Sequence, residues 1–171
     1  MPDQETLDLL QKFQTAIVGV IGFTGVILTL IVNAAVARRQ VRDNRTHERQ
    51  VVARALLAEL KSHREALARN VGEAKEDESP LVGMITPILQ VPVFDANLSR
   101  IGVLPVGSIE PVLNAFLCLK EYNPTIALLS HPMADPGHRA VDGKDANKVV
   151  TITESMLPPL DDGIAALEKV T

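Results

Sequence analysis

The chain has 171 residues, the length of about one domain, with 3% aromatic residues and no tryptophan. A core with so few aromatics must be built from Leu, Val, Ile and Ala, which favours an all-α protein of packed helices over a β-sandwich. The formal charge of −4 is unevenly distributed: residues 37–70 carry nine Lys/Arg against four Asp/Glu, and the rest of the chain is acidic. Because the protein as a whole is acidic, the composition argues against nucleic acid as a partner.

The first predicted element is a membrane span. After a short tail, residues 1–12, the 25 residues 13–37 contain no Asp, Glu, Lys or Arg. At about 1.5 Å per residue they form about 37 Å of helix, enough to cross a bilayer with some tilt. A cleaved signal peptide is the alternative, because Ala35-Val36-Ala37 has the form of a cleavage site. The acidic start, the length of the run and the continuing helical pattern favour an uncleaved anchor.

Arginines follow the span at once, whereas the other flank is net acidic. The Lys/Arg-rich side of a span faces the cytoplasm, so we expect the amino terminus outside and a cytosolic carboxyl-terminal domain. The spacing of four of the arginines also places them on one side of a helix, where they could bind anionic lipid head groups as well as set topology. The predicted lipid-contacting residues are Arg38, Arg39, Arg42, Arg45 and Arg49.

Seven positions from Thr15 to Val36 follow one another at alternating steps of four and three, and five of them hold small or polar residues. Small residues let helix backbones approach in lipid, and Thr and Asn can form hydrogen bonds across the contact. The pattern predicts a seam through which the span binds a second copy or another membrane protein, although such residues are also common in plain anchors. The predicted association seam comprises Thr15, Gly19, Gly22, Thr29 and Asn33.

Residues 38–71 are predicted to continue the helix as a basic amphipathic segment. No proline lies between Pro2 and Pro80, so one helix of about 65 residues, or two with a slight break, should end near Gly72. The acidic stretch 72–80 is predicted to be a linker. A broad apolar face should pack against later helices as a small bundle, and it comprises Val52, Leu56, Leu57, Leu60, Leu67 and Val71.

The C-terminal region, residues 81–171, is predicted to be helical in parts. Pro87 and Pro92 argue against a continuous helix or a central strand near its start. An apolar stripe predicts a helix from Gly107-Ser108 to Asn123, followed by a short helix over residues 125–130 and a loop over residues 133–145. A last helix keeps one apolar face over residues 149–167, which Pro158 and Pro159 should kink or restart.

The segment RALLAEL, residues 54–60, and the segment FDANLSRIGVLP, residues 94–105, carry a family resemblance when taken with the N-terminal span. Together they resemble a recurrent set of uncharacterised small bacterial single-pass inner-membrane proteins. The resemblance implies a membrane anchor with a cytosolic helical domain, and it implies no activity.

The titratable residues predict neither an enzyme nor a metal or cofactor site. Glu59 and His63 lie one helical turn apart without a third ligand in register, which indicates an exposed ion pair. His131, Asp135 and His138 match no metal-site spacing. The single Cys118 has apolar neighbours, which indicates a small buried hydrophobe in a reducing compartment.

The sequence therefore predicts a non-enzymatic, single-pass interaction or scaffold protein, with the lipid bilayer, a second copy or another membrane protein as partners. The alternative is a membrane-active phage lysis accessory or a component of an envelope complex. A spanin-like protein would place its long helix outside the cytoplasm, and a holin-like protein would need no folded carboxyl-terminal domain.

Overall fold

The structure is a computed structural model that describes residues 4–76 and 83–171. The chain divides into two compact units, Met1–Thr46 and His47–Thr171. The elements are α1 (Gln4–Glu76), β1 (Met84–Pro87), α2 (Pro92–Asn97), a 3₁₀ helix (Leu98–Val103), α3 (Val106–Ala127), β2 (Ser130–Pro132), β3 (His138–Val141) and α4 (Gly143–Glu168). The predominance of helix confirms the prediction of a mainly helical protein, whereas the small sheet was not expected.

Helix α1 is longer than predicted, because it continues past Gly72 to Glu76. Residues 72–76 of the predicted linker are therefore helical, and residues 77–80 lie outside the described part of the chain. The predicted apolar face is confirmed in the second unit. Its buried residues are Val52, Leu56, Leu60, Leu67 and Val71, and Leu57 packs against the same core while partly exposed.

Three short antiparallel strands form a sheet in the order β1-β3-β2. The central strand β3 lies within the segment predicted to be a loop, and that prediction is wrong there. Val141 of β3 is paired with Met84 on one side and Ser130 on the other. Pro87 and Pro132 lie on the two edge strands, where proline interrupts no second ladder of hydrogen bonds.

Helix α3 begins near the predicted position but continues through Pro124, so the predicted end at Asn123 is wrong. The missing N–H of Pro124 costs one helical hydrogen bond. Extending the helix buries Ile126, with 1% of its surface exposed, and burying such a side chain is worth about 1.5–3 kcal/mol. Helix α4 likewise runs without interruption across Pro158 and Pro159, so it does not restart there.

The core of the second unit lies between α1, α3 and α4. Helices α3 and α4 run antiparallel, since Ser108 near the start of α3 donates to the Ala166 carbonyl near the end of α4 at 3.4 Å. The Phe94 and Phe116 rings stack with centroids 4.2 Å apart. At the surface, Lys61 and Arg64 of α1 form ion pairs with Glu168 and Asp161 of α4 at 2.7 and 3.0 Å.

Candidate functional site

Within the described residues, one helix is long and apolar enough to cross a membrane by length and composition. The stretch Val18–Ala74 contains a window of mean hydropathy 2.2, none of which is buried. Large apolar side chains there face outward, with 69% of Phe23 and 60% of Leu28 exposed. Leaving apolar surface in water costs about 25 cal/mol per Å², so exposure of the apolar side chains in this window is unfavourable in water.

The predicted association seam lies on this exposed stretch. A Cβ added at Gly19 or Gly22 would meet no atom within 4 Å, so both backbones are open to a close neighbour. The Thr29 hydroxyl donates to the Gly25 carbonyl at 2.8 Å, which leaves it only as an acceptor for another helix. Asn33 is exposed, and its amide is the strongest candidate for an interhelical hydrogen bond. The side chain of Thr15 lies outside the described part of the molecule.

The predicted lipid-contacting arginines divide between the two units. In the first unit Arg38, Arg42 and Arg45 are exposed, and Arg39 lies 4.0 Å from Asp43 as an exposed ion pair. Such exposed pairs contribute little to stability, so these guanidinium groups remain accessible to an anionic surface.

In the second unit, Arg49 has a structural contact that the sequence did not reveal. Its Nε donates to the Val103 carbonyl at 3.0 Å, at the end of the 3₁₀ helix. On the same 3₁₀ helix, Arg100 donates through Nε and Nη2 to the Glu48 carboxylate at 3.1 and 3.0 Å. Arg49 therefore ties α1 to the segment IGVLP in addition to any contact with lipid.

Glu59 is a buried capping residue, and the predicted exposed ion pair with His63 is wrong. Only 8% of Glu59 is exposed, and its two carboxylate oxygens accept the backbone N–H groups of Val93 and Phe94, each at 2.8 Å. Those N–H groups belong to the first turn of α2, which has no cap of its own. Glu59, which lies on α1, thus accepts hydrogen bonds from two N–H groups that the start of α2 would otherwise leave unpaired.

A buried polar cluster joins the sheet to the helices. The Tyr122 hydroxyl bonds to Thr86 of β1, and Tyr122 is only 1% exposed. Burial raises the pKa of Tyr122, and its hydrogen bonds with Thr86 and Thr153 oppose part of that rise. Thr86 and Thr153 are themselves fully buried. The cluster holds the sheet on the core and offers no access for a substrate.

Two histidines of the C-terminal region, His131 and His138, form exposed pairs with aspartates. Nδ1 of His138 lies 2.6 Å from Oδ2 of Asp135, whose other oxygen accepts the Gly137 N–H at 2.9 Å. These two bonds, the Gly137 bond first, lower the pKa of Asp135. His131 instead lies 3.4 Å from Asp142. Over residues 4–76 and 83–171, no three His, Cys, Asp or Glu residues are placed to hold a metal.

A groove of about 960 Å³ runs along the surface between α3 and α4. Cys118 lines this groove and is half-buried, so it is more exposed than the buried cysteine that was predicted. Desolvation, together with the nearby Glu121 carboxylate, raises the pKa of the Cys118 thiol. A raised pKa lowers the thiolate fraction and therefore the nucleophilicity of the sulfur.

Comparison with protein-family models, curated proteins and solved structures found no match to this chain.

Proposed function

We propose that this chain is a single-pass membrane protein of the bacterial inner membrane whose second unit, His47–Thr171, is a helical interaction module. One observation carries the anchor half of the proposal. Residues 13–37 contain no charged side chain, and the side chains of residues 18–37 are exposed. A bilayer provides the apolar surroundings that such a helix needs.

The proposed orientation places the amino terminus outside and the second unit in the cytoplasm. Four arginines, Arg38, Arg39, Arg42 and Arg45, follow the apolar stretch, whereas Asp3, Glu5 and Asp8 precede it. Lys/Arg close to a span favours the cytoplasmic side. Each such cation near an anionic leaflet contributes about 1 kcal/mol of attraction, so these arginines also bind anionic lipid.

The interaction half of the proposal rests on the span and on the folded unit. The open seam at Gly19 and Gly22 suits a second copy or another membrane protein. The buried core of the second unit supports a folded module, which a holin-like protein would not need. A spanin-like lysis protein remains the alternative function and requires the opposite orientation.

Paired reporters test the proposal. A phosphatase that is active only outside the cytoplasm, fused after Thr171, should be silent, and a fluorescent protein fused there should be bright. The protein should stay in the membrane pellet after alkaline carbonate extraction. An active phosphatase would support the spanin-like alternative, and release by carbonate would refute the anchor.

A further inference from the structure

The groove between α3 and α4 has the dimensions of a helix-binding site. Lining residues recur at each turn over residues 107–121 of α3 and 158–169 of α4. At about 1.5 Å per residue the longer wall extends about 20 Å, or about four helical turns. Two lining residues with short side chains, Ser108 and Ala166, are buried and therefore lie deep in the groove between the two helices.

The groove combines apolar walls with acidic edges. Leu117 is 52% exposed, and Pro158 and Pro159 add apolar surface that carries no backbone donor. Three carboxylates line it, Glu110, Glu121 and Asp162, against one cation, Lys169. The groove therefore carries a net negative charge next to its apolar surface.

These three carboxylates differ from those on the adjoining face of α4 in whether they form salt bridges. Asp161 and Glu168 form ion pairs with Arg64 and Lys61 of α1. Glu110, Glu121 and Asp162 form no salt bridge with any residue in the described ranges. Uncompensated carboxylates beside an apolar surface attract a cationic partner and repel an anionic one, including an anionic membrane.

We propose that this groove binds a basic amphipathic α-helix of a partner protein, with apolar side chains on the groove floor and Lys or Arg beside Glu110, Glu121 and Asp162. Binding of a helix in a groove uses apolar anchors at steps of three and four residues, which matches the periodicity of the walls. The chain's own basic segment, residues 38–49, has Val41 as its one large apolar residue and does not supply such anchors. This inference rests on the interaction half of the proposed function and is independent of the anchor half.

Cys118 provides a direct test, since it is the only cysteine and it lines the groove. The full chain is placed in phosphatidylcholine nanodiscs, and alkylation of Cys118 by N-ethylmaleimide is followed by mass spectrometry at about pH 8.5. The probe is a peptide of about 14 residues, the length of the groove, with a leucine face and a lysine face. A peptide with glutamate in place of lysine is the matched control.

The lysine peptide should slow alkylation about fivefold or more at saturation, and the glutamate peptide should leave the rate unchanged. The triple variant Glu110→Gln/Glu121→Gln/Asp162→Asn should weaken the protection about tenfold. The variant Glu65→Gln/Glu73→Gln, which removes two exposed carboxylates of α1 instead, should not. The circular dichroism spectra of both variants should match that of the parent, because all five substituted side chains are exposed.

Several results would overturn the proposal: no protection by the lysine peptide, equal protection by both peptides, or full protection in the triple variant. Protection without peptide that arises only when two chains share a disc would identify a second copy as the occupant and would also overturn it. None of these results would affect carbonate extraction or the reporters, so failure here is distinguishable from failure of the membrane anchor.

Discussion

At the residue scale, Tyr122 offers a selective probe of the core. It is the only tyrosine, the chain has no tryptophan, and burial raises the pKa of its hydroxyl. An ultraviolet absorbance titration of the folded chain should therefore give one midpoint above the ordinary value of about 10. A midpoint at that ordinary value would mean that water reaches the hydroxyl.

The same shift makes the contribution of Tyr122 to stability depend on pH. Because the pKa of Tyr122 is higher in the folded state, its contribution is complete below the unfolded pKa of about 10 and is lost as pH rises through the folded pKa. The difference in unfolding free energy between the parent and Tyr122→Phe should thus change in favour of the variant above about pH 10. A difference that stays constant with pH would contradict the assignment.

Gly163 shows a close approach that only the structure reveals. A Cβ at this position would lie 2.7 Å from the Ala115 Cβ and 3.1 Å from Leu60 Cδ1. Alanine favours a helix over glycine by about 1 kcal/mol, but overpacking a core costs about 1–3 kcal/mol. We therefore expect Gly163→Ala to lower the free energy of unfolding, measured by chemical denaturation.

Gly72 is the matched control for that substitution. It also lies in a helix, and a Cβ there would meet no atom within 4 Å. Gly72→Ala should leave stability unchanged or raise it by up to about 1 kcal/mol. If Gly163→Ala were equally neutral, α3 and α4 would have room to separate where Gly163 faces Ala115.

Some residue roles follow from the sequence and others do not. The apolar face around Leu56 and Leu60 was predictable, because helical periodicity is a local signal that burial then follows. The role of Glu59 was not, since the N–H groups it accepts lie 34 and 35 residues away. The role of the groove carboxylates Glu110, Glu121 and Asp162 could not be predicted from the sequence either. Whether a carboxylate forms a salt bridge depends on which helices pack together.

At the element scale, long helices were predictable and short strands were not. Strands of three and four residues are too short to show the alternation that identifies a strand. The end of α3 was predicted too early because Pro124 was taken to stop the helix. The helix tolerates the hydrogen bond lost at Pro124, since its last turn buries Ile126. Local rules therefore gave the helical class, whereas tertiary packing decided where the elements end.

The predicted association seam of the proposed span gives a testable prediction. Gly22→Leu should block close approach of a second helix and weaken association in bilayers by about 1 kcal/mol or more, measured by energy transfer. Asn33→Leu should have a similar effect by removing a hydrogen bond, since Asn33 is exposed. Gly25→Leu, off the seam, raises hydrophobicity equally and should do less. Equal association in all three variants and the parent would leave the span as an anchor without a partner.

At the scale of the whole molecule, the distribution of charge along the sequence decides the proposed orientation. The amino-terminal flank of the apolar stretch is acidic, and the opposite flank is basic through Arg38, Arg39, Arg42 and Arg45. The balance of Lys/Arg near a span sets its direction, and Asp/Glu contributes little. Removing the four positive charges should therefore remove most of the signal without altering the buried core of the second unit.

The corresponding prediction compares two fourfold variants of Arg38, Arg39, Arg42 and Arg45. Replacement by glutamine should give a mixed orientation, measured as new activity of the phosphatase fused after Thr171, because the positive charge nearest the span is lost. Replacement by lysine keeps the charge but not the guanidinium geometry, so that reporter should stay silent. If the lysine variant also inverts, recognition of the arginine side chain itself, by lipid phosphate or a partner, must contribute to orientation. If the glutamine variant stays silent, the folded second unit or the charges beyond residue 46 hold it in the cytoplasm, and the arginines would then serve lipid binding alone.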